Sequence, residues 1–157
     1  MDKSALRDAI LRRLEADLAL QTSAALSSRE EAVDEESRPE NKYDMRSQEA
    51  AYLAEGQARL AAELQESLAL FATLPLQAFG PDDAVALGAL VTLSAEGSDV
   101  HYFLGPRSGG TEVAVDGTTV LVITPASPLG RQLLGRWHGD SVMLPGARRP
   151  HRITKIA

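Results

Sequence analysis

The chain contains no cysteine. That excludes disulfides, thiolate metal centres and cysteine nucleophiles. Aromatic residues are scarce: one tryptophan, three tyrosines and three phenylalanines among 157 residues. No run approaches the roughly 18 consecutive apolar residues of a membrane span. The opening Met1-Asp2-Lys3-Ser4-Ala5-Leu6-Arg7 has no apolar signal core. The expectation is a soluble, cytoplasmic protein with no membrane association. Basic residues are outnumbered, 16 against 22 acidic, for a formal net charge of −6. Phosphate neutralisation needs a basic face, so this balance argues against general nucleic-acid binding. No serine sits in a nucleophile-elbow context, and His101, His138 and His151 are scattered, so no hydrolase constellation stands out.

The charge that is present is uneven. Residues 1–73 carry 15 acidic and 9 basic side chains, whereas residues 74–157 carry 7 of each. Within the second half, Arg131, Arg136, Arg148, Arg149, Arg152 and Lys155 stand against Asp140 alone after residue 130. The chain therefore has an acidic first half and a basic tail end. Its length suits one ordinary domain or two small ones.

Residues 4–34 read as a helix, with Ser4 as N-cap and Leu11, Leu14, Leu18, Ala25 and Ala32 on one stripe. Residues 39–73 read as a second, with Ala50, Leu53, Gln57, Leu60, Leu64, Ser67 and Phe71 repeating at spacings of three and four. Gly56 is a flaw costing about 1 kcal/mol against alanine. A helix of about 30 residues is about 45 Å long. Ser37-x-x-Glu40, with Pro39 inside the first turn, matches a capping box that starts the second helix. The reading for residues 1–73 is thus an antiparallel two-helix coiled-coil hairpin, with its tip near 35–44.

Residues 74–82 form a breaker-rich linker. Beyond it the period changes to that of strands. Short strands are expected at 85–93, 100–104, Glu112–Val115, Thr118–Ile123, 141–144 and 152–156, with Asp116-Gly117 as a hairpin turn. A short helix at 128–134 follows Ser127, a good N-cap with proline next to it. Residues 83–157 are therefore a globular domain with a mainly antiparallel sheet and one short helix, and the fold class is α+β. Gly105 to Gly110 reads as a surface loop and His101 as a half-buried strand position; Trp137, beside Gly135, Gly139 and Asp140, reads as a core anchor, with an exposed contact as the alternative.

The tip admits two readings. Seven acidic residues lie between Glu30 and Asp44. Magnesium takes one or two carboxylates and keeps several waters, so an exposed tip can complete a cation site held mainly by a partner. Equally, Glu40 can serve its capping box while its neighbours decorate a solvated helix end.

Two stretches are similar to a known family. One is Thr124-Pro125-Ala126-Ser127-Pro128-Leu129-Gly130-Arg131-Gln132-Leu133-Leu134-Gly135-Arg136, followed by Gly139-Asp140-Ser141-Val142 and Arg152-Ile153-Thr154-Lys155-Ile156. The other is Glu40-Asn41 opening a helix that continues through Ala50-Ala51-Tyr52. Together, in this order, they resemble the Gre family of bacterial transcript-cleavage elongation factors. The resemblance implies a coiled-coil hairpin followed by a domain with the FK506-binding-protein-like fold. It implies RNA polymerase as partner, with Ser127, Pro128 and Leu129 matching the segment that docks at the rim of the secondary channel. It further implies that Glu40 reaches the polymerase active centre and shares a magnesium ion there; Glu36, next to position 37, is the expected second carboxylate. The polymerase would then hydrolyse a backtracked transcript, and the nascent RNA 3′ end would be met only inside that complex. The protein itself would not be an enzyme.

One position departs from the pattern. Ser37 stands where cleavage-competent members carry an aspartate, and Arg38 and Lys42 lie within the tip. The alternative is a Gre-like channel binder that modulates or inhibits the polymerase without cleavage. A third reading is an unrelated peptide-binding protein or isomerase of the FK506-binding-protein type. It has little support, because Phe79, Tyr102, Phe103 and Trp137 are too few aromatics for a prolyl pocket.

Overall fold

The computed structural model describes residues 1–36, 45–80 and 82–157, with side chains 31–36, 45–47 and 50 left out. The elements are helices α1 (Lys3–Glu36) and α2 (Met45–Thr73), strands β1 (Leu90–Ala95), β2 (Ser98–Leu104), β3 (Glu112–Val115) and β4 (Thr118–Ile123), helix α3 (Pro128–Leu133), and strands β5 (Ser141–Val142) and β6 (His151–Ile156). Contacts divide the chain into two compact units: Met1–Arg13 with Ala69–Ala157, and Leu14–Leu68. The expected division had assigned all of 1–73 to the hairpin. Both ends of that stretch fall in the unit that contains the sheet.

In the Leu14–Leu68 unit, α1 buries Leu14 and Ser28 and half-buries Asp17, Leu18, Gln21, Ala24 and Ala25. These positions advance three or four residues at a time, the seam of a helix packed on a helix. The Ser28 hydroxyl donates to Gln57 Oε1 of α2 at 3.3 Å, so the seam has a polar pin. On α2 the expected stripe is half right. Gln57 and Leu64 are half-buried and Ser67 is buried, but Leu53 and Leu60 are exposed. Ala54 and Ala61 are half-buried in their place. Small side chains let two backbones approach closely, which leaves the bulkier leucines outside the seam. The capping box of Ser37 and Glu40 lies outside the described residues.

In the other unit the six strands form one sheet in the order β3-β4-β2-β1-β6-β5. Four of the pairings are antiparallel, as the alternation suggested; β2 and β4 run parallel. Strands β1, β2 and β4 carry buried side chains on both faces of the sheet, whereas β5 and β6 bury one face only. Successive side chains of a strand point to opposite faces. Val91, Leu93, Leu104, Ile123, Ile153 and Ile156 share one cluster with Leu129 and Leu133 of α3. The opposite face carries Phe103, Val120 and Val122, all fully buried. There Phe71 of α2 meets Phe103, with ring centroids 6.4 Å apart.

The first strand begins later than the sequence pattern indicates. Residues Ala86 to Ala89 close a turn, with Gly88 at φ +84. Val85 lies before it and exchanges 2.8 Å bonds with the far side of α3: its N–H donates to Arg136 O, and its carbonyl accepts from Gly135 N. A register shift between Thr92 and Leu93 then lets β1 follow β6 while Thr154 drops out of the ladder. At the chain start, Asp2 rather than Ser4 caps α1: its Oδ1 accepts from Ser4 N at 3.0 Å. Those hydrogen bonds hold the Asp2 carboxyl below its usual range, led by the one from the Ser4 backbone.

Candidate functional site

The segment entering α3 is built around one hydroxyl. Ser127 Oγ accepts from Gly130 N at 3.0 Å and donates to Thr124 O at 2.8 Å. The Ser127 backbone is extended, and Pro128 supplies a preset φ at the first helical position. Gly130 is required here, because a Cβ would fall 1.9 Å from the Thr124 carbonyl oxygen. Arg131 Nη1 folds back to the Ala126 carbonyl. The helix ends as Leu134 N donates to Gly130 O at 2.9 Å, and Gly135 turns the chain at φ +77.

The three residues that match a docking segment therefore have different surroundings. Pro128 is exposed, Ser127 is half-buried and fully engaged as the cap, and Leu129 is buried in the core cluster. Pro128 is the member of the trio with a side chain open to a partner.

The stretch after α3 forms a pinned corner. Trp137 N donates to Asp140 Oδ2 at 3.0 Å, and Asp140 N donates to Trp137 O at 3.1 Å. Gly139 N donates to Ile153 O and Ile153 N to Asp140 O, both at 2.8 Å, which ties the corner to β6. Arg152 Nε donates to Gly139 O at 3.2 Å. Trp137 is not the core anchor expected of it: it is 51% exposed. Its backbone is committed to the corner, and the ring is left outside. Leu134 at 49% and Met143 at 45% are exposed as well. Met143 is drawn toward α3 by a 3.2 Å bond from its N–H to Gln132 Oε1. Sequence reading missed Leu134 and Met143 because apolar residues within an expected helix, 128–134, and an expected strand, 141–144, read as core. The one available signal was the glycine pair flanking Trp137, which marks a turn.

His101 occupies the half-buried strand position expected of it, with Nδ1 3.1 Å from Thr92 Oγ1. His151 opens β6 with a buried Nδ1. Among the described residues, no group of three or more histidine, aspartate or glutamate side chains could hold a metal ion. No helix is long and apolar enough to cross a membrane, again among the described residues. Glu40 lies outside the described residues, and Glu36 is the last residue of α1, its side chain likewise outside them.

No protein-family model matches the chain, and no curated protein does either. Among solved structures it is similar to GreA factor homolog 1 (Gfh1) of Thermus thermophilus. That likeness has 22% identity and a TM-score of 0.38, over 94% of each chain. Gfh1 of Thermus aquaticus is similar at 22% identity and a TM-score of 0.37, over 92% of each chain.

Proposed function

We propose that the protein is a Gre-type elongation factor that binds RNA polymerase at its secondary channel. In this reading the sheet-containing part docks, and the helical tip stimulates cleavage of backtracked transcripts. The bond hydrolysed is in the RNA and the catalyst is the polymerase. The observation that carries the reading is the coherence of the C-terminal motif. Ser127 and Gly130 build the start of α3, Leu133 packs into the core cluster, and Gly139 and Asp140 tie the following corner to β6. Gly130 in particular leaves no room for a side chain, and the Ser127 hydroxyl is engaged on both sides as the cap.

At the tip, Glu40 would hold a magnesium ion with Glu36 as its companion, and the polymerase would supply the remaining ligands. Carboxylate oxygens are the right donors for this hard cation, and one or two suffice when water completes the shell. Bound there, the ion would supply activation of the attacking water and neutralisation of the leaving oxygen. A specific observation favours a second reading. Ser37 stands at the aspartate position with Arg38 beside it, which suits a channel binder that modulates without cleaving.

The deciding experiment adds the full chain to a stalled, backtracked elongation complex in magnesium buffer and follows transcript length. Shortened transcripts with the natural chain, lost in Glu40→Ala and reduced in Glu36→Ala, support cleavage. Ser37→Asp should increase the rate. Slowed elongation with no shortening at any magnesium concentration rejects cleavage and leaves the modulator.

A further inference from the structure

We infer that Trp137 is the centre of a protein-docking surface, with Leu134 and Met143 as its apolar surround and Arg131 and Arg136 as its charged rim. Its occupant is an acidic, amphipathic segment of RNA polymerase. The inference rests on the polymerase reading above and deepens it, since Pro128 is the one exposed side chain of Ser127-Pro128-Leu129, and Trp137 and its neighbours add further open side chains.

Three observations carry it. First, the only tryptophan of the chain is half exposed, and so are Leu134, three residues before it, and Met143, whose backbone N–H is bonded to Gln132 of α3. Buried tryptophan and arginine side chains dominate the energetics of protein interfaces. Second, the tryptophan is presented on a fixed frame. Both backbone polar groups of Trp137 bond to Asp140, and the corner is tied to β6. A fixed anchor loses little conformational freedom on binding. Third, the charge is one-sided. From residue 128 to 152 five arginines stand against Asp140 alone, in a chain of net charge −6. Asp140 is already engaged with Trp137 N, and Arg149 is paired with Glu96 at 2.6 Å. Arg131 and Arg136 are exposed and, among the described residues, donate to carbonyls at Ala126 and Gln132. An apolar centre with cationic edges complements a helix or loop whose apolar side chains are flanked by carboxylates.

The test measures binding of the full-length protein to purified bacterial core RNA polymerase. Trp137→Ala should weaken binding about tenfold or more, and Trp137→Phe should retain most of it. Met143→Glu should weaken it as well by placing a like charge before an acidic partner. Arg131→Ala with Arg136→Ala should flatten the salt dependence of the association rate. Thermal melting of Trp137→Ala and Met143→Glu should stay within a few degrees of the natural chain, because both side chains are half exposed. If the natural chain does not bind polymerase at all, the polymerase reading fails and this inference falls with it. If the natural chain binds and the Trp137 and Met143 variants bind equally well, the docking surface is elsewhere and the inference alone is overturned. Binding of a single-stranded oligonucleotide that depends on Trp137, without loss of polymerase binding in Trp137→Ala, would also overturn it.

Discussion

The Nζ of Lys3 lies 4.7 Å from the centroid of the Phe79 ring. The same ammonium donates to Gly88 O at 3.2 Å and to the Gln77 carbonyl. One side chain in the first turn of α1 thereby holds three points of the segment leading from α2 to β1. This segment is rich in breakers and has few ladder bonds of its own, so the lysine supplies order that its own sequence does not.

Lys3→Met should keep the apolar stem, remove the cation from the ring and leave Gly88 O without this donor. The expected loss is about 1 kcal/mol of stability at neutral pH, read by chemical denaturation. The pH dependence has a definite sign. Burial lowers the Lys3 amine below the ordinary value of 10.5. Between the lowered folded value and 10.5 the unfolded chain binds more protons, so stability from this group rises with pH across that window. The stability difference between the natural chain and Lys3→Met should therefore widen as pH approaches 10.5. A difference that narrows instead would show that the ring and the carbonyls, which favour the ammonium, outweigh burial.

Gly130→Ala should be among the most damaging single-methyl changes in the chain. Its Cβ would sit 1.9 Å from the Thr124 carbonyl oxygen, against rigid backbone. The helix start must shift and the Ser127 cap must open, for a loss of about 3 kcal/mol. Ser127→Ala, which removes the cap alone, should cost about 1 kcal/mol. Equal losses for the two would mean that the cap, not the close approach, sets the position of α3.

Phe71 and Gly105 should be energetically coupled. A Cβ on Gly105 would lie 2.7 Å from Phe71 Cζ and 3.0 Å from Val122 Cγ1. Phe71→Ala should cost about 3–5 kcal/mol, since the ring is fully buried against Phe103. Gly105→Ala alone should cost about 1–3 kcal/mol through overpacking. Combined with Phe71→Ala its cost should largely disappear, because the added methyl enters the space the ring has left. Strict additivity in the double variant would refute this packing.

Some of this architecture is legible in the residues themselves. Asp116 and Gly117 both adopt positive φ, +51 and +73, in the tight turn their types demand, and the flanking strands β3 and β4 have the expected bounds. The start of α3 was readable from Ser127-Pro128, because a cap and a preset φ act over two or three residues. Less was legible at the candidate site. Leu129 lies in the very motif that suggested docking, yet it is buried. Trp137 looked like core and is exposed. A motif names which residues matter together, and it does not say which of them face inward.

The sequence by itself determined the local matters: the two helical stretches, the hairpin turn, the cap of α3, the basic tail end and the absence of any thiol chemistry. These depend on backbone preference, side-chain period and composition over a few residues. The tertiary structure decided what depends on distant partners. It made β4 pair in parallel with β2. It placed Ala54 and Ala61 in the helical seam and left Leu53 and Leu60 outside. It also bound the Trp137 corner to β6, so that the backbone is satisfied while the ring stays in solvent. The physical reason is that burial is a property of what packs against a residue. An apolar side chain has the same hydrophobicity wherever it stands, and only the arrangement of the other elements decides whether it is covered.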